Sequence, residues 1–281
     1  MSADSTENHR LPLASQWIRT IQRYRSDHPD LVRVLDVVER LQDRPYCTQA
    51  LLLGEPGTGK EGLGRALHAL MHAEDAPFVE ASLGGRESPD VLPELFGHGV
   101  TPGIIERADG GTLYLDEVAT LSRGVQARLL AAIRGRVRRE GELVDRPVSV
   151  TIIGATDHDL LAEVIAGRFR HDLYWRLARL VLTLPPLRER RADIGRLAVW
   201  IGSRVLQKYG RTQRLAREVD SESDTIVLSR EAEEVLVAHD WPGNIRELDA
   251  VLERTLLLYG DGPRVEREHV VAAIGRREAT K

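Results

Sequence analysis

A chain of 281 residues carrying a net charge of −4, with acidic and basic side chains interspersed, has material for one large domain and a smaller companion and shows no dedicated polyanion-binding surface. Cys47 is the only cysteine, which excludes an internal disulfide framework. No apolar run reaches membrane-spanning length and no signal peptide opens the chain, so a cytoplasmic protein with no membrane association is expected.

Residues 1–11 are polar and are expected to fray. Leu13 to Arg25 carries a weak amphipathic pattern, and Leu31, Leu35, Val38 and Leu41 continue a clearer helical stripe up to Asp43. Five short, apolar, partly β-branched segments follow, at Ala50–Leu53, Pro77–Ala81, Thr112–Leu115, Val148–Ile153 and Leu180–Leu184. They alternate with helical stretches, the arrangement of a parallel sheet covered on both faces. After Pro185-Pro186 the pattern is helical alone, with apolar residues at helical spacing in Ile194–Tyr209, Arg230–His239 and Ile245–Tyr259, while polar, acidic Ala216–Thr225 reads as a mobile connection. The expected fold class is α/β, a five-stranded parallel sheet followed by a small all-helical subdomain. The expected division is an N-terminal extension over 1–27, an α/β subdomain over 28–187 and a helical lid over 188–281.

Leu51 to Gly64 reads LLLGEPGTGKEGLG: a buried-strand pattern that opens onto Gly54-x-x-x-x-Gly59-Lys60. Glycines let backbone amides approach an anion, the lysine supplies a charge, and the following helix adds its positive dipole end, so Gly54, Glu55, Pro56, Gly57, Thr58, Gly59, Lys60 and Glu61 are read as a phosphate-binding loop. Glu61 stands where many such loops place a Ser or Thr for magnesium, so Mg2+ must be held mainly from elsewhere, through water. The overlapping Gly57-x-Gly59-x-x-Gly62 fits a dinucleotide fingerprint only by accident, since Lys60 lies inside it and no acidic residue closes a following strand at the required distance. Thr112-Leu113-Tyr114-Leu115-Asp116-Glu117 is a strand ending in two carboxylates, where ligands bind in open α/β sheets. Asp116 is assigned to the metal shell and Glu117 to polarising a water for attack on a γ-phosphate. His68 and His72 have the helical spacing of a zinc pair but lack a third ligand and read as ordinary helix histidines; Cys47 reads as packing.

Several signatures occur together and in one order: Leu51–Gly64, Glu94-Leu95-Phe96-Gly97-His98, Ala108-Asp109-Gly110-Gly111-Thr112-Leu113, Phe169-Arg170-x-Asp172-Leu173-Tyr174-x-Arg176-Leu177, Leu184-Pro185-Pro186-Leu187-Arg188-Glu189-Arg190 and Trp241-Pro242-Gly243-Asn244-Ile245-Arg246-Glu247-Leu248. Over about residues 28–275 the chain thereby resembles the AAA+ domain of bacterial enhancer-binding proteins, the sigma-54-dependent transcription activators. The resemblance implies a ring-forming ATPase using ATP and Mg2+, with nucleotide between subunits. Gly54, Gly57, Gly59 and Lys60 match its phosphate contacts, and Asp116 with Glu117 its second nucleotide motif. Arg170 and Arg176 match the pair that reaches into a neighbouring subunit's site, and Arg246 the residue that senses the γ-phosphate from the lid.

Departures accompany the matches. The family's long sigma-54 contact loop after Glu-Leu-Phe-Gly-His is replaced by Gly99-Val100-Thr101-Pro102. Ser82 and Asp157 stand where the family places asparagines, one holding the catalytic glutamate and one meeting the γ-phosphate; an ionised Asp157 would repel phosphate, slowing turnover, or help hold magnesium. Neither a C-terminal helix-turn-helix nor an N-terminal sensory domain is found, so no direct DNA binding is expected of this chain. The implied function is an AAA+ ATP-binding transcription regulator, an ATPase that does not remodel sigma-54. The alternative is a nucleotide-switched assembly or binding module with little hydrolysis. Expected partners are further copies of the chain in a ring, and another transcription regulator or RNA polymerase component.

Overall fold

The computed structural model describes residues 26–43, 49–82, 88–218 and 224–275. The expectations for 1–25, for Cys47 and for 219–223 in the middle of the connection over 216–225 lie outside those residues, while Ala216 and Thr225 at its ends belong to strands. The chain divides into two compact units, one comprising Leu35–Leu53 and Lys60–Leu182, the other Tyr24–Val34, Gly54–Gly59 and Thr183–Lys281. No helix among the described residues is long and apolar enough to cross a membrane.

The first unit is built on a sheet whose strands are β1 (Gln49–Leu53), β2 (Phe78–Ser82), β5 (Thr112–Asp116), β8 (Thr151–Thr156) and β9 (Val181–Thr183), in the order β2-β5-β8-β1-β9. The pairs β2–β5, β5–β8 and β1–β8 are parallel. Residues of β8 are buried throughout, as a central strand covered on both faces requires. The fourth strand starts later than its apolar run suggests. Val148 spends its N–H on Gly135 O, outside the ladder, and pairing with β5 begins at Thr151 opposite Thr112. In chain order the described helices up to residue 165 are α1 (Pro29–Asp43), α2 (Lys60–Met71), α3 (Ser88–Phe96), α4 (Ile104–Arg107), α5 (Arg123–Ile133) and α6 (Leu160–Ile165). Helix α2 packs on β1, β5 and β8, and a Cβ at Gly64 would stand 2.7 Å from the Tyr114 ring, a clash that glycine avoids. The core gathers Leu51, Leu113, Leu115, Ile152, Leu129, Phe169 and Leu173. His68 and His72 bond Thr112 Oγ1 and Thr151 Oγ1 at 2.9 and 3.0 Å, tying α2 to the starts of two strands. Among the described residues no group of three or more His, Cys, Asp or Glu side chains that could hold a metal ion is found.

Two short hairpins complete this unit. β3 (Gly97–His98) and β4 (Thr101–Pro102) are antiparallel across Gly99 and Val100, and β6 (Arg136–Val137) pairs with β7 (Arg146–Pro147). Glu140 N–H donates to Gly97 O at 2.9 Å, and Arg139 donates to Gly99 O while forming a two-pronged ion pair with Glu106. That guanidinium holds the Glu106 carboxyl below its usual range.

The second unit packs α8 (Ile194–Lys208), α9 (Arg230–Ala238), α10 (Asn244–Tyr259) and α11 (Arg267–Gly275) around fully buried Trp241, whose indole N–H donates to Leu236 O at 2.7 Å. The helical lid carries a feature that helical periodicity hides: β10 (Arg214–Ala216), β11 (Thr225–Leu228) and β12 (Arg264–Val265) form a three-stranded parallel sheet. An all-helical subdomain was therefore too simple an expectation. These strands are two to four residues long, too short for alternation to register.

Candidate functional site

Between β1 and α2 the chain turns through Gly54–Gly59 with positive φ at Gly54, Gly57 and Gly59. At Gly57, φ is +77° and an added Cβ would lie 2.4 Å from Gly243 O, so conformation and space both demand glycine. Thr58 closes the turn internally, its N–H and hydroxyl both donating to Glu55 O. Lys60, buried, begins α2.

The loop is held from the residues that follow the sheet. Arg188 grips the Glu55 carboxylate with two hydrogen bonds of 2.8 and 2.5 Å, and this pairing holds the Glu55 carboxyl down at about 2. Arg190, itself buried, donates to Thr58 O at 3.0 Å. Asn244 donates to Glu55 and to Pro56 O while accepting from Leu187 N–H at 2.7 Å. Ile245 N–H donates to Gly57 O at 2.9 Å. Arg246, on the exposed side of the same helical turn, has its Cβ against Gly57. Of these residues only Arg246 was singled out from sequence. Arg188 and Asn244 stand 133 and 189 residues from Glu55, so no local pattern in the sequence reveals their contacts.

In the first unit, β5 delivers Asp116 and Glu117 at its C-terminal end. Asp116 is half-buried, and its Oδ1 accepts Glu117 N–H at 3.1 Å. Glu117 is exposed with φ +56°, a left-handed conformation that costs a non-glycine residue about 1–3 kcal/mol. A pair of carboxylates on a strand end suits a hard cation that retains most of its waters, and the donor set thus fits Mg2+. Ser82 is the cross-strand partner of Asp116. Glu61 is committed elsewhere: Arg65 bonds it at 3.0 Å and Glu80 at 2.7 Å, and burial together with the Glu61 charge raises Glu80. Asp157 is exposed just beyond β8, with His158 Nε2 at 3.7 Å.

Arg170 caps helix α7 (His171–Leu177), its N–H donating to Gln126 Oε1 and its guanidinium bonded twice to Asp172 at 2.9 Å. Arg170 thereby holds the Asp172 carboxyl at about 2. Arg176 is exposed at the far end of α7 and makes no ion pair among the described residues.

The model of the sigma-54 interaction domain matches residues 25–183, and that of the AAA+ ATPase lid domain matches residues 188–281. The chain belongs to the sigma-54 interaction domain family. The Nif-specific regulatory protein of Azotobacter vinelandii is 36% identical over 244 residues, and transcriptional regulatory protein ZraR of Klebsiella oxytoca is 40% identical over 241. These alignments take in 83% and 82% of this chain but 44% and 52% of the relatives, so the chain spans about half the length of the curated relatives it matches. Among solved structures, NtrX from Brucella abortus in complex with ADP superposes with a TM-score of 0.77 at 30% identity, covering 93% of this chain and 58% of NtrX. Its complex with ATP gives 0.72 at 29% identity, covering 94% and 63%. As a sigma-54 interaction domain the chain is an AAA+ fold, and its turn of Gly99 and Val100 stands directly after the Glu94–His98 signature.

Proposed function

We infer that this sigma-54 interaction domain binds ATP with Mg2+ and hydrolyses it, as the motor of a cytoplasmic transcription regulator. The observation that carries the reading is the loop Gly54–Lys60, shaped by three glycines at positive φ and followed by a helix. In this reading Gly54, Glu55, Pro56, Gly57, Thr58 and Gly59 wrap the phosphates with backbone N–H groups and Lys60 adds charge. Asp116 would hold magnesium, which when bound would offset charge on the transferred phosphoryl group, while Glu61 is engaged by Arg65. Glu117 polarises the attacking water. Arg246 reads the γ-phosphate, and Arg170 and Arg176 serve the site of a neighbouring copy in a closed ring, where each guanidinium offsets charge on the phosphoryl group. The boundary between α/β and lid subdomains is placed near residue 187. Calorimetric titration with ATP tests the reading: saturable binding at micromolar concentration is expected, and no heat up to millimolar ATP overturns it.

The output is proposed to differ from that of a sigma-54 activator. A hairpin turning on two residues reaches only a few ångströms beyond its strands, too short for a finger that projects from a ring. The regulator is then expected to act on another transcription protein or RNA polymerase component. Co-sedimentation with purified sigma-54 in the presence of a transition-state analogue of ATP should give no complex, and a stable analogue-dependent complex would refute this part. Ser82 beside Asp116 and exposed Asp157 favour a second reading, in which nucleotide switches assembly with little hydrolysis. Under it ATP binding persists while steady-state turnover stays near background.

A further inference from the structure

Three consecutive carbonyl oxygens of the phosphate loop accept hydrogen bonds from distant donors of the same compact unit: Pro56 O from Asn244 Nδ2 at 3.0 Å, Gly57 O from Ile245 N–H at 2.9 Å, and Thr58 O from Arg190 Nη2 at 3.0 Å. A trans peptide is planar, with C=O and N–H pointing in opposite directions. Each tied carbonyl therefore turns the N–H of the next residue to the other side. The three groups so turned belong to Gly57, Thr58 and Gly59. Thr58 N–H closes onto Glu55 O, while those of Gly57 and Gly59 make no hydrogen bond among the described residues. Glycines at φ +77° and +105° have no side chain to limit their conformations, so the ties and not the loop's own stereochemistry select this one.

Asn244 is the centre of the arrangement. It is fully buried and adopts φ +53°, a conformation asparagine tolerates better than other side chains. Its amide orientation is dictated by its neighbours, since Leu187 N–H requires the oxygen while Pro56 O and the Glu55 carboxylate require the nitrogen. An aspartate of the same shape could serve only the first.

We propose that Asn244, supported by Arg190, is a positioning residue for nucleotide: it keeps the Gly57 and Gly59 amides turned outward as an anion nest, so that the loop's affinity for a β-phosphate is set by the lid. This rests on the nucleotide-binding reading above and adds a role for a residue that touches no phosphate itself.

Asn244→Gly tests it, because glycine accepts the positive φ and only the amide's bonds are lost. Affinities for ADP, ATP and inorganic pyrophosphate, measured by calorimetry, should each fall at least tenfold and by a similar factor. Asn244→Asp, which preserves volume and the Leu187 bond but sets a carboxylate against Glu55 and Pro56 O, should fall further still. A variant pair that binds all three ligands within twofold of the parent overturns the proposal. The unmutated protein supplies an independent readout through amide hydrogen exchange. Without nucleotide, Ile245 N–H should be protected while Gly57 and Gly59 exchange freely, and pyrophosphate should slow both glycines. Free exchange at Ile245 overturns the proposal even if no variant folds. A parent that binds none of the three ligands defeats the nucleotide-binding reading itself, whereas normal parent binding with unaffected variants defeats the positioning role alone.

Discussion

The loop Gly54–Gly59 and the strand end Asp116–Glu117 are organised in opposite ways. In the loop every carbonyl oxygen from Glu55 to Thr58 accepts a hydrogen bond, and Glu55 is paired with Arg188. At the strand end Glu117 is exposed, strained, and without a side-chain hydrogen bond among the described residues. Exposed Arg176 shares that openness. The contrast teaches that the loop is completed by this chain's own packing, whereas Glu117 and Arg176 carry no side-chain partner among the described residues; Arg170, bonded twice to Asp172, is the exception. Substitutions in the loop should accordingly abolish binding, and substitutions at the strand end or on α7 should spare it.

The sharpest division comes from Arg176→Ala, expected to reduce ATP turnover about 1,000-fold, as loss of an arginine acting in trans does, while ATP affinity measured by calorimetry stays within a few-fold. Equal loss of affinity would place Arg176 in binding and break the comparison. Glu117→Gln removes only the water-polarising carboxylate and should lower hydrolysis by about 100-fold or more with ATP still bound; phosphate-release kinetics matching the parent would remove Glu117 from its role. On the binding side, Lys60→Ala should weaken ATP by roughly 100-fold with the circular dichroism spectrum unchanged, because a charge-assisted contact is lost from an otherwise intact loop. Unaltered affinity would deny the loop its function.

The smallest expected effect belongs to neither region and serves as a baseline. Burial holds His68 down at about 4 and also lowers His72, so below pH 6.5 the unfolded chain takes up protons that the folded chain refuses. Stability is therefore complete above pH 6.5 and declines as pH falls toward 4. The thermal midpoint should drop by a few degrees over that window, and His68→Gln should flatten the drop without altering ATP affinity at pH 7.5. A midpoint as pH-dependent in the variant as in the parent would discard this assignment.

The same contrast explains what was legible in the amino-acid sequence. The loop and strand end announce themselves locally: Gly54, Gly59 and Lys60 are fixed by backbone conformation and charge, and Thr112–Asp116 by an apolar run ending in acid. Helices α8, α9 and α10 began and ended within a residue of their apolar stripes. Boundaries slipped where hydrogen bonding outranked hydrophobicity, as at Val148, whose apolar run precedes the ladder. The short strands of the lid escaped notice because pairing over two to four residues leaves no period. Least visible were the ties of Arg188, Arg190 and Asn244 to the loop, which depend on tertiary packing across more than 130 residues.

The central claim, that binding is complete in one chain while turnover requires a neighbour, is tested most directly by steady-state ATP hydrolysis across protein concentration with mass measured in parallel. Activity per subunit should rise with concentration and track the appearance of a ring-sized species, while the affinity for ATP stays constant throughout. Activity per subunit that holds steady down to concentrations where only monomer is present would contradict the account.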